Sequence, residues 1–296
     1  IKLMMMRIQN ILMSYISVGR EQLQQQGCVK FSSSWFCLVL CLWLVVSAKG
    51  EVIHYLPLDG PIPVNVMGGA TVTNFGAEPT MDRNGIEASA YEFDGWSDYI
   101  YADINVNYDV LPQMTWGAWV RSDISHTTST TRAIASQDDG SFDRQFGIDY
   151  RQGNGISAFQ GDGVLGSYAQ SEWAWYFVAT TYNELTHQVK LYVAGQSDTS
   201  QTGFTVIAGA LADVDDGHDY IHLGANPFVS VAEHWDGAID DFFIYNEVLN
   251  LEDLAGIATN GIVIPEPATL SLLAVSMLMA CHRRRRRLRP DRQHRR

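Results

Sequence analysis

Between residues 51 and 258 short apolar, β-branched and aromatic runs alternate with clusters of Gly, Asp, Asn and Ser. The runs are Val52–Leu58, Ala88–Phe93, Tyr99–Asn105, Met114–Arg121, Ala133–Gln137, Gln145–Tyr150, Tyr176–Thr181, Gln188–Ala194, Tyr220–Gly224 and Ala238–Tyr245. Period-two alternation is clearest in Gln188–Ala194, where Val189, Leu191 and Val193 share one face. No helical period of useful length precedes residue 250. There Asn250 is placed to cap a short helix, with Glu252 and Asp253 in its first turn and Asn260-Gly261 past its end. Many short strands, Gly-rich turns and one short C-terminal helix predict an all-β antiparallel sandwich, a class that routinely fills 200–250 residues as one domain.

The two ends break this pattern. Trp35–Val46 is an uncharged apolar run preceded by Lys30 and followed by Ser47-Ala48. Basic, apolar and small residues in that order predict a secretory signal peptide over 1–48, with a long basic-end region. Leu40 stands where a small residue should precede a lipidated cysteine, so Cys41 is not read as a lipoprotein site. At the other end a linker, 259–267, carries Pro265-Glu266-Pro267. It is followed by an apolar stretch over 268–281 and an Arg-rich tail over 282–296. The apolar stretch reaches roughly 21 Å as a helix, short of a ~30 Å hydrocarbon core. The arginines after it would stay cytoplasmic and leave the rest of the chain outside.

This triplet resembles the PEP-CTERM sorting signal of exported bacterial proteins. The resemblance implies transient residence in the inner membrane, handling by exosortase-type machinery near Pro265, Glu266 and Pro267, and delivery to the surface or extracellular matrix of a Gram-negative-type envelope.

Charge narrows the partners. Residues 51–267 hold 31 acidic against 6 basic side chains, a net of −25, whereas 282–296 hold nine arginines and one aspartate. A body so acidic repels phosphate backbones, which excludes nucleic-acid binding by the sandwich and favours cations. All four cysteines (Cys28, Cys37, Cys41, Cys281) lie in the terminal segments. The body therefore has no disulfide, thiolate metal site or cysteine nucleophile.

Several segments resemble, in order, the LamG-like jelly rolls of the concanavalin A-like lectin/glucanase superfold. His54-Tyr55-Leu56-Pro57-Leu58-Asp59-Gly60 is similar to the first strand, Glu92-Phe93-Asp94-Gly95 with Asp98-Tyr99-Ile100 to an FDG..DYI segment, and Thr115–Val120 to an S-A-W-V strand. Trp175–Ala179, Leu191–Gly195, His222–Ala225, Trp235–Asp241 and Ile244-Tyr245-Asn246 continue the series over 51–258. The resemblance implies an antiparallel jelly-roll β-sandwich.

That superfold serves lectins and glucanases alike, so function must be argued from the site. Retaining glucanases of the superfold carry E-x-D-x-x-E, because one carboxylate attacks the sugar while the other moves the proton. Here Glu92-Phe93-Asp94-Gly95-Trp96-Ser97 places Ser97 where the second glutamate is needed. No HExxH, Ser/His/Asp elbow or phosphate loop is present. Ser136–Phe142 is similar to a single degenerate sialidase Asp-box and reads as an ordinary β-turn.

Asp240 falls in phase with Phe242 and Ile244, so it is expected to point where apolar residues point and to need hydrogen-bond donors or a cation. Hydrogen bonding to loop N–H groups and Ca2+ ligation both remain open, and Asp59 and Asp94 occupy family positions that would reach the same end. A second acidic group, Asp213, Asp215, Asp216 and Asp219, suits an oxygen-ligated cation or a solvated loop. Trp96, Tyr168, Trp173 and Trp235 adjoin turn residues and are candidates for stacking on sugar rings. Trp116, Trp119 and Trp175 lie in strands and are expected in the core.

The sequence thus leads to an exported, non-catalytic binding or structural module with a polysaccharide or a surface protein as partner and structural Ca2+ as the one cofactor to test. The alternative is a glycan-active hydrolase or lyase of the same superfold.

Overall fold

The computed structural model describes residues 50–124, 131–141, 143–153, 155–160, 163–166, 168–210, 217–228 and 233–264. The predicted signal peptide, the sorting triplet Pro265-Glu266-Pro267, the apolar stretch and the Arg-rich tail fall outside the described residues, as do Asp213, Asp215 and Asp216. No helix among the described residues is long and apolar enough to cross a membrane.

The described strands run in chain order as β1 (Val52–Leu56), β2 (Val72–Phe75), β3 (Glu78–Thr80), β4 (Ala90–Asp94), β5 (Tyr99–Ala102), β6 (Gln113–Ser122), β7 (Arg132–Ser136), β8 (Gln145–Asp149), β9 (Gly155–Gln160), β10 (Gly163–Val164), β11 (Trp175–Asn183), β12 (Gln188–Gly195), β13 (Thr205–Ala210), β14 (Ile221–Leu223) and β15 (Asp236–Tyr245). One α-helix, α1 (Leu251–Asn260), follows. All pairings are antiparallel and form two sheets. The first has the order β13-β12-β11-β6-β15-β4-β3, with β1 also paired to β15, and the second has the order β10-β9-β8-β7-β14-β5-β2. This is the antiparallel jelly-roll sandwich expected from the sequence.

Each sheet buries one face against the other. Trp116, Val120, Ile239, Phe242 and Ile244 from the first sheet meet Ile100, Ile134, Phe146, Ile148 and Leu223 from the second. Val189, Leu191 and Val193 share this interior, as their alternation requires. The first sheet also carries apolar residues on its outer face: Trp119, Phe177, Ala179 and Phe243 pack with Leu254 and Ala258 of α1. Trp116 and Trp119, three residues apart on one strand, therefore serve opposite layers. The cap foreseen for α1 is present, with the Asn250 side chain accepting from the Asp253 N–H.

Strand β15 positions the chemistry discussed below. Its first half, Asp236 to Ile239, pairs with β4, and its second half, Phe242 to Tyr245, pairs with β1. At the change of partner the strand bulges between Asp240 and Phe243, and Asp241 adopts φ +52°. A bulge inserts an extra residue and shifts every following side chain to the other face. Ile239, Phe242 and Ile244 consequently point inward. Asp240 lies opposite Trp119 on the outer face, out of phase with Phe242, contrary to the expectation drawn from simple alternation.

Candidate functional site

Asp240 is 3% exposed and is answered from within the chain. Arg83, from the loop between β3 and β4, pairs with the Asp240 carboxylate through Nη1 and with Asp241 Oδ2 at 2.8 Å through Nη2. The Arg83 guanidinium lies 4.7 Å above the Trp119 ring, and the Tyr55 hydroxyl donates to Asp241 Oδ1. Burial raises the Asp240 pKa, and the neighbouring Asp241, Asp82 and Asp59 add to the rise while Arg83 opposes it. Asp59 thus belongs to the surroundings of Asp240.

Asp94 does not join them. Its carboxylate accepts from the backbone N–H groups of Trp96 (2.8 Å), Ser97 (2.8 Å) and Asp98 (3.1 Å) and from the Ser97 hydroxyl (2.9 Å). Burial works against ionisation there, but those bonds outweigh it and hold the pKa at about 2. Ser97, which stands where a catalytic glutamate would be needed, closes the turn.

At the opposite end of the sandwich, where β7 gives way to β8, Asp138, Asp139 and Asp143 bring one carboxylate oxygen each within 4.8 Å of one another. Sequence reasoning read this stretch as a plain turn. Asp143 is 1% exposed, and its Oδ1 has no hydrogen-bond partner. Neither Asp139 nor Asp143 makes an ion pair with a described residue. The Asp143 pKa is raised to about 7, first by burial and then by the charges of Asp139 and Asp138. Asp138 is fixed by its own contacts: Oδ1 accepts from the Gly140 N–H at 2.9 Å and Oδ2 from the Asn226 amide at 2.8 Å. The same Asn226 nitrogen reaches Glu233 Oε2 at 2.9 Å, and Gln145 contacts Glu233 and Ser136 behind it. The carbonyl oxygen of the Gln137 side chain is buried without a partner. Asp219, the described member of the second acidic group, accepts from Asn105 (2.7 Å) and Asn107 (3.1 Å). Three converging carboxylates, one of which also has a buried oxygen without a partner, suit a hard divalent cation such as Ca2+.

The four aromatic candidates divide. Trp96 and Trp173 are 80% and 63% exposed. They lie at the same rim of the first sheet: Trp96 follows the end of β4, and the Trp173 N–H donates to Ser122 O at the end of β6. Strands β4 and β11 are three places apart in the sheet, about 14 Å at the usual strand spacing. Trp173 has φ +61°, a conformation that costs energy for a bulky residue. Arg121 lies 5.5 Å from its ring, 5.6 Å from that of Trp175, and pairs with Glu92 and Asp123.

Tyr168 is half-buried, packed edge-on against Tyr176 and bridged by backbone bonds to Ile156. Trp235, a candidate for ligand contact, is corrected to a core residue with 0% exposure. Its backbone N–H donates to Gly224 O at 2.8 Å, and the ring lies inside the sandwich.

With the fold and this geometry in view, residues 94–255 match the family of concanavalin A-like lectin/glucanases, and the chain belongs to that superfamily. No curated protein matches it in sequence. Among solved structures it is similar to the botulinum neurotoxin serotype D binding domain (TM-score 0.53, 19% identity, covering 71% of this chain and 51% of the other). It is also similar to the binding domain of Paraclostridial Mosquitocidal Protein 1 (TM-score 0.54, 12% identity, covering 70% and 52%). At these identities the likeness is one of fold, and the present chain spans about half the length of those domains.

Proposed function

We propose that the protein is an exported, surface-delivered binding module without catalytic activity, recognising a polysaccharide or a surface protein through the rim that carries Trp96 and Trp173. The observation that carries this reading is the pair of exposed tryptophans on one rim, one held in a left-handed backbone conformation. Indole faces bind sugar rings and protein side chains by contact area at low entropic cost, and a span of about 14 Å suits an extended ligand. The structural neighbours are themselves binding domains by name. The order of signal peptide, sorting triplet, apolar stretch and arginines supports export and exosortase-type processing. The carboxylate diad of retaining glucanases is missing from β4, which supports a binding role.

Asp138, Asp139 and Asp143 would hold a structural Ca2+ at the opposite end. The ion would add positive charge where Arg144, committed to Glu184, forms no ion pair with the three carboxylates, and would tie the turn between β7 and β8.

The test is a glycan array read with and without Ca2+, followed by titration of hits against Trp96→Ala and Trp173→Ala. Binding that falls at least tenfold in the double variant, about 1.4 kcal/mol, supports the reading. Turnover of any bound polysaccharide, or binding indifferent to both tryptophans, overturns it.

A further inference from the structure

The two exposed tryptophans are separated by charge. Following the strand order β11, β6, β15, β4, the rim carries Trp173, then Asp123, Asp236 and Asp94, then Trp96. Asp94 is the cross-strand partner of Asp236, and the Asp123 N–H donates to Asp236 O at 3.0 Å. Asp94 stands four residues beyond Ala90 and Asp123 four beyond Trp119, both of which pack on the outer face of the first sheet, so period-two alternation turns these carboxylates to that face.

The cations nearby are outnumbered and already engaged. Asp98 adds a carboxylate that accepts from the Asp94 N–H at 3.1 Å, and Glu172 adds another directly before Trp173. Against them stand Arg121, paired with Glu92 and Asp123, and Arg132, whose Nη1 donates to the carbonyls of Gly95 and His234. Burial raises the Asp236 pKa, Arg132 opposes the rise, and the charges of Asp123 and Asp94 add to it. That mutual repulsion is what a cationic guest would relieve.

The spacing decides what kind of cation fits. Among the described residues, only Asp138, Asp139 and Asp143 bring three carboxylate oxygens within 4.8 Å of one another. The rim aspartates therefore form a row, one for each of three neighbouring strands, and not a cage for a single ion. A polyanion is repelled by such a row, and a neutral guest gains nothing from it. A chain bearing several separate cations is drawn both to the carboxylates and to the faces of the indoles. The molecule itself already sets a guanidinium 5.5 Å from the Trp173 ring. An extended peptide repeats its same-face side chains about every 6.7 Å, so two or three of them cross the span of about 14 Å.

We propose that the partner of the tryptophan rim is an extended, lysine- or arginine-bearing segment of a surface protein, its cations lying along Asp123, Asp236 and Asp94 and its ends against Trp173 and Trp96. The proposal rests on the rim reading and narrows it to one partner class.

The experiment measures binding of fluorescently labelled octalysine, and of a neutral Gly-Ser peptide of equal length, to the full-length protein by fluorescence anisotropy. Wild type is compared with Trp96→Ala/Trp173→Ala and with Glu172→Gln/Asp236→Asn. A further variant, Asp103→Asn/Asp109→Asn, removes the same charge from the exposed loop beyond the far end of β5. Circular dichroism confirms folding. Octalysine is expected to bind wild type, more weakly as NaCl rises from about 50 to about 300 mM, while the neutral peptide does not bind. Its affinity should fall at least tenfold in the tryptophan variant and about three- to tenfold in the rim carboxylate variant, and stay within twofold in the distant one. The proposal is overturned if octalysine does not bind, if it binds as well without the tryptophans, or if the two carboxylate variants weaken it equally, which would mark general attraction to an acidic body. A glycan that needs both tryptophans, with octalysine failing to bind, would overturn this partner class while leaving the rim reading intact.

Discussion

Two acidic clusters of this molecule differ in where their counter-charge comes from. On the outer face of the first sheet, Asp240 and Asp241 sit at the bulge of β15 and are met by Arg83. At the far end of the sandwich, Asp138, Asp139 and Asp143 bring carboxylate oxygens within 4.8 Å of one another, and Asp143 keeps a buried oxygen without a partner. The first cluster is paired internally by Arg83, and for the second we propose a cation from outside. Carboxylate density alone therefore identifies neither a metal site nor a structural one. What separates them is where the nearby guanidinium is committed: Arg83 pairs with Asp240 and Asp241, whereas Arg144, next to Asp143, pairs with Glu184 at 2.8 Å.

The largest effect should come from removing that guanidinium. Arg83→Ala leaves the buried Asp240 beside the half-buried Asp241, with Tyr55 as the remaining side-chain donor among the described residues, and is expected to cost about 3–5 kcal/mol, measured by urea unfolding. A loss below 1 kcal/mol would show that the first cluster does not need its internal cation.

The comparison sharpens when single carboxylates are altered in calcium-free buffer. Asp240→Ala strands Arg83 N–H groups and should destabilise by about 1–3 kcal/mol. Asp143→Asn removes a buried charge that makes no ion pair with a described residue and should leave stability unchanged or raise it by about 1 kcal/mol at pH 8. Equal losses in the two variants would erase the distinction.

A smaller effect concerns a basic group that the fold keeps neutral. His222 lies in an aromatic ladder, stacked on Tyr99 at 4.4 Å and near Tyr101 and Tyr220. Burial lowers its pKa to about 4, with repulsion from His218 and His234 adding to the shift. The unfolded chain takes up this proton near pH 6.5 and the folded chain only near pH 4. Its contribution is therefore complete above pH 6.5 and is lost as the pH falls to 4, by roughly 1–2 kcal/mol. His222→Gln should flatten that window in a pH series of melting curves. An unchanged slope would assign the acid sensitivity to other groups.

The sequence carries the fold well because its signals are local and repeated. Alternation in β12, the aromatic β6 strand and the Asn250 cap each survive independently of the rest. Of the strands outside that pattern, β2, β3, β10 and β13 lie at sheet edges, where burial imposes little pattern, and β9 is buried on both faces, which leaves no alternation to read. The sites were less legible for a different reason. The phase of Asp240 depended on a bulge that appears only where β15 changes partner. Trp235 stands next to turn residues in the sequence, but its backbone bond to Gly224 leads directly into β15 and its ring is buried in the sandwich. Asp138, Asp139 and Asp143 occupy an ordinary turn sequence, and only the packing of β7 against β8, with Asn226 fixing Asp138 from a distant loop, turns three carboxylates toward one point.

The central claim, that the cation belongs at the sandwich end and not at the β15 bulge, is tested most directly by differential scanning fluorimetry in millimolar CaCl2 against NaCl of matched ionic strength. Wild type should gain a Ca2+-specific stabilisation of about 2.7 kcal/mol at a hundredfold excess over Kd. Asp240→Ala should start from a lower melting temperature and keep that gain, while Asp143→Asn should lose it. The account is contradicted if Asp240→Ala abolishes the response, if Asp143→Asn retains it, or if the wild type responds to Ca2+ no more than to NaCl.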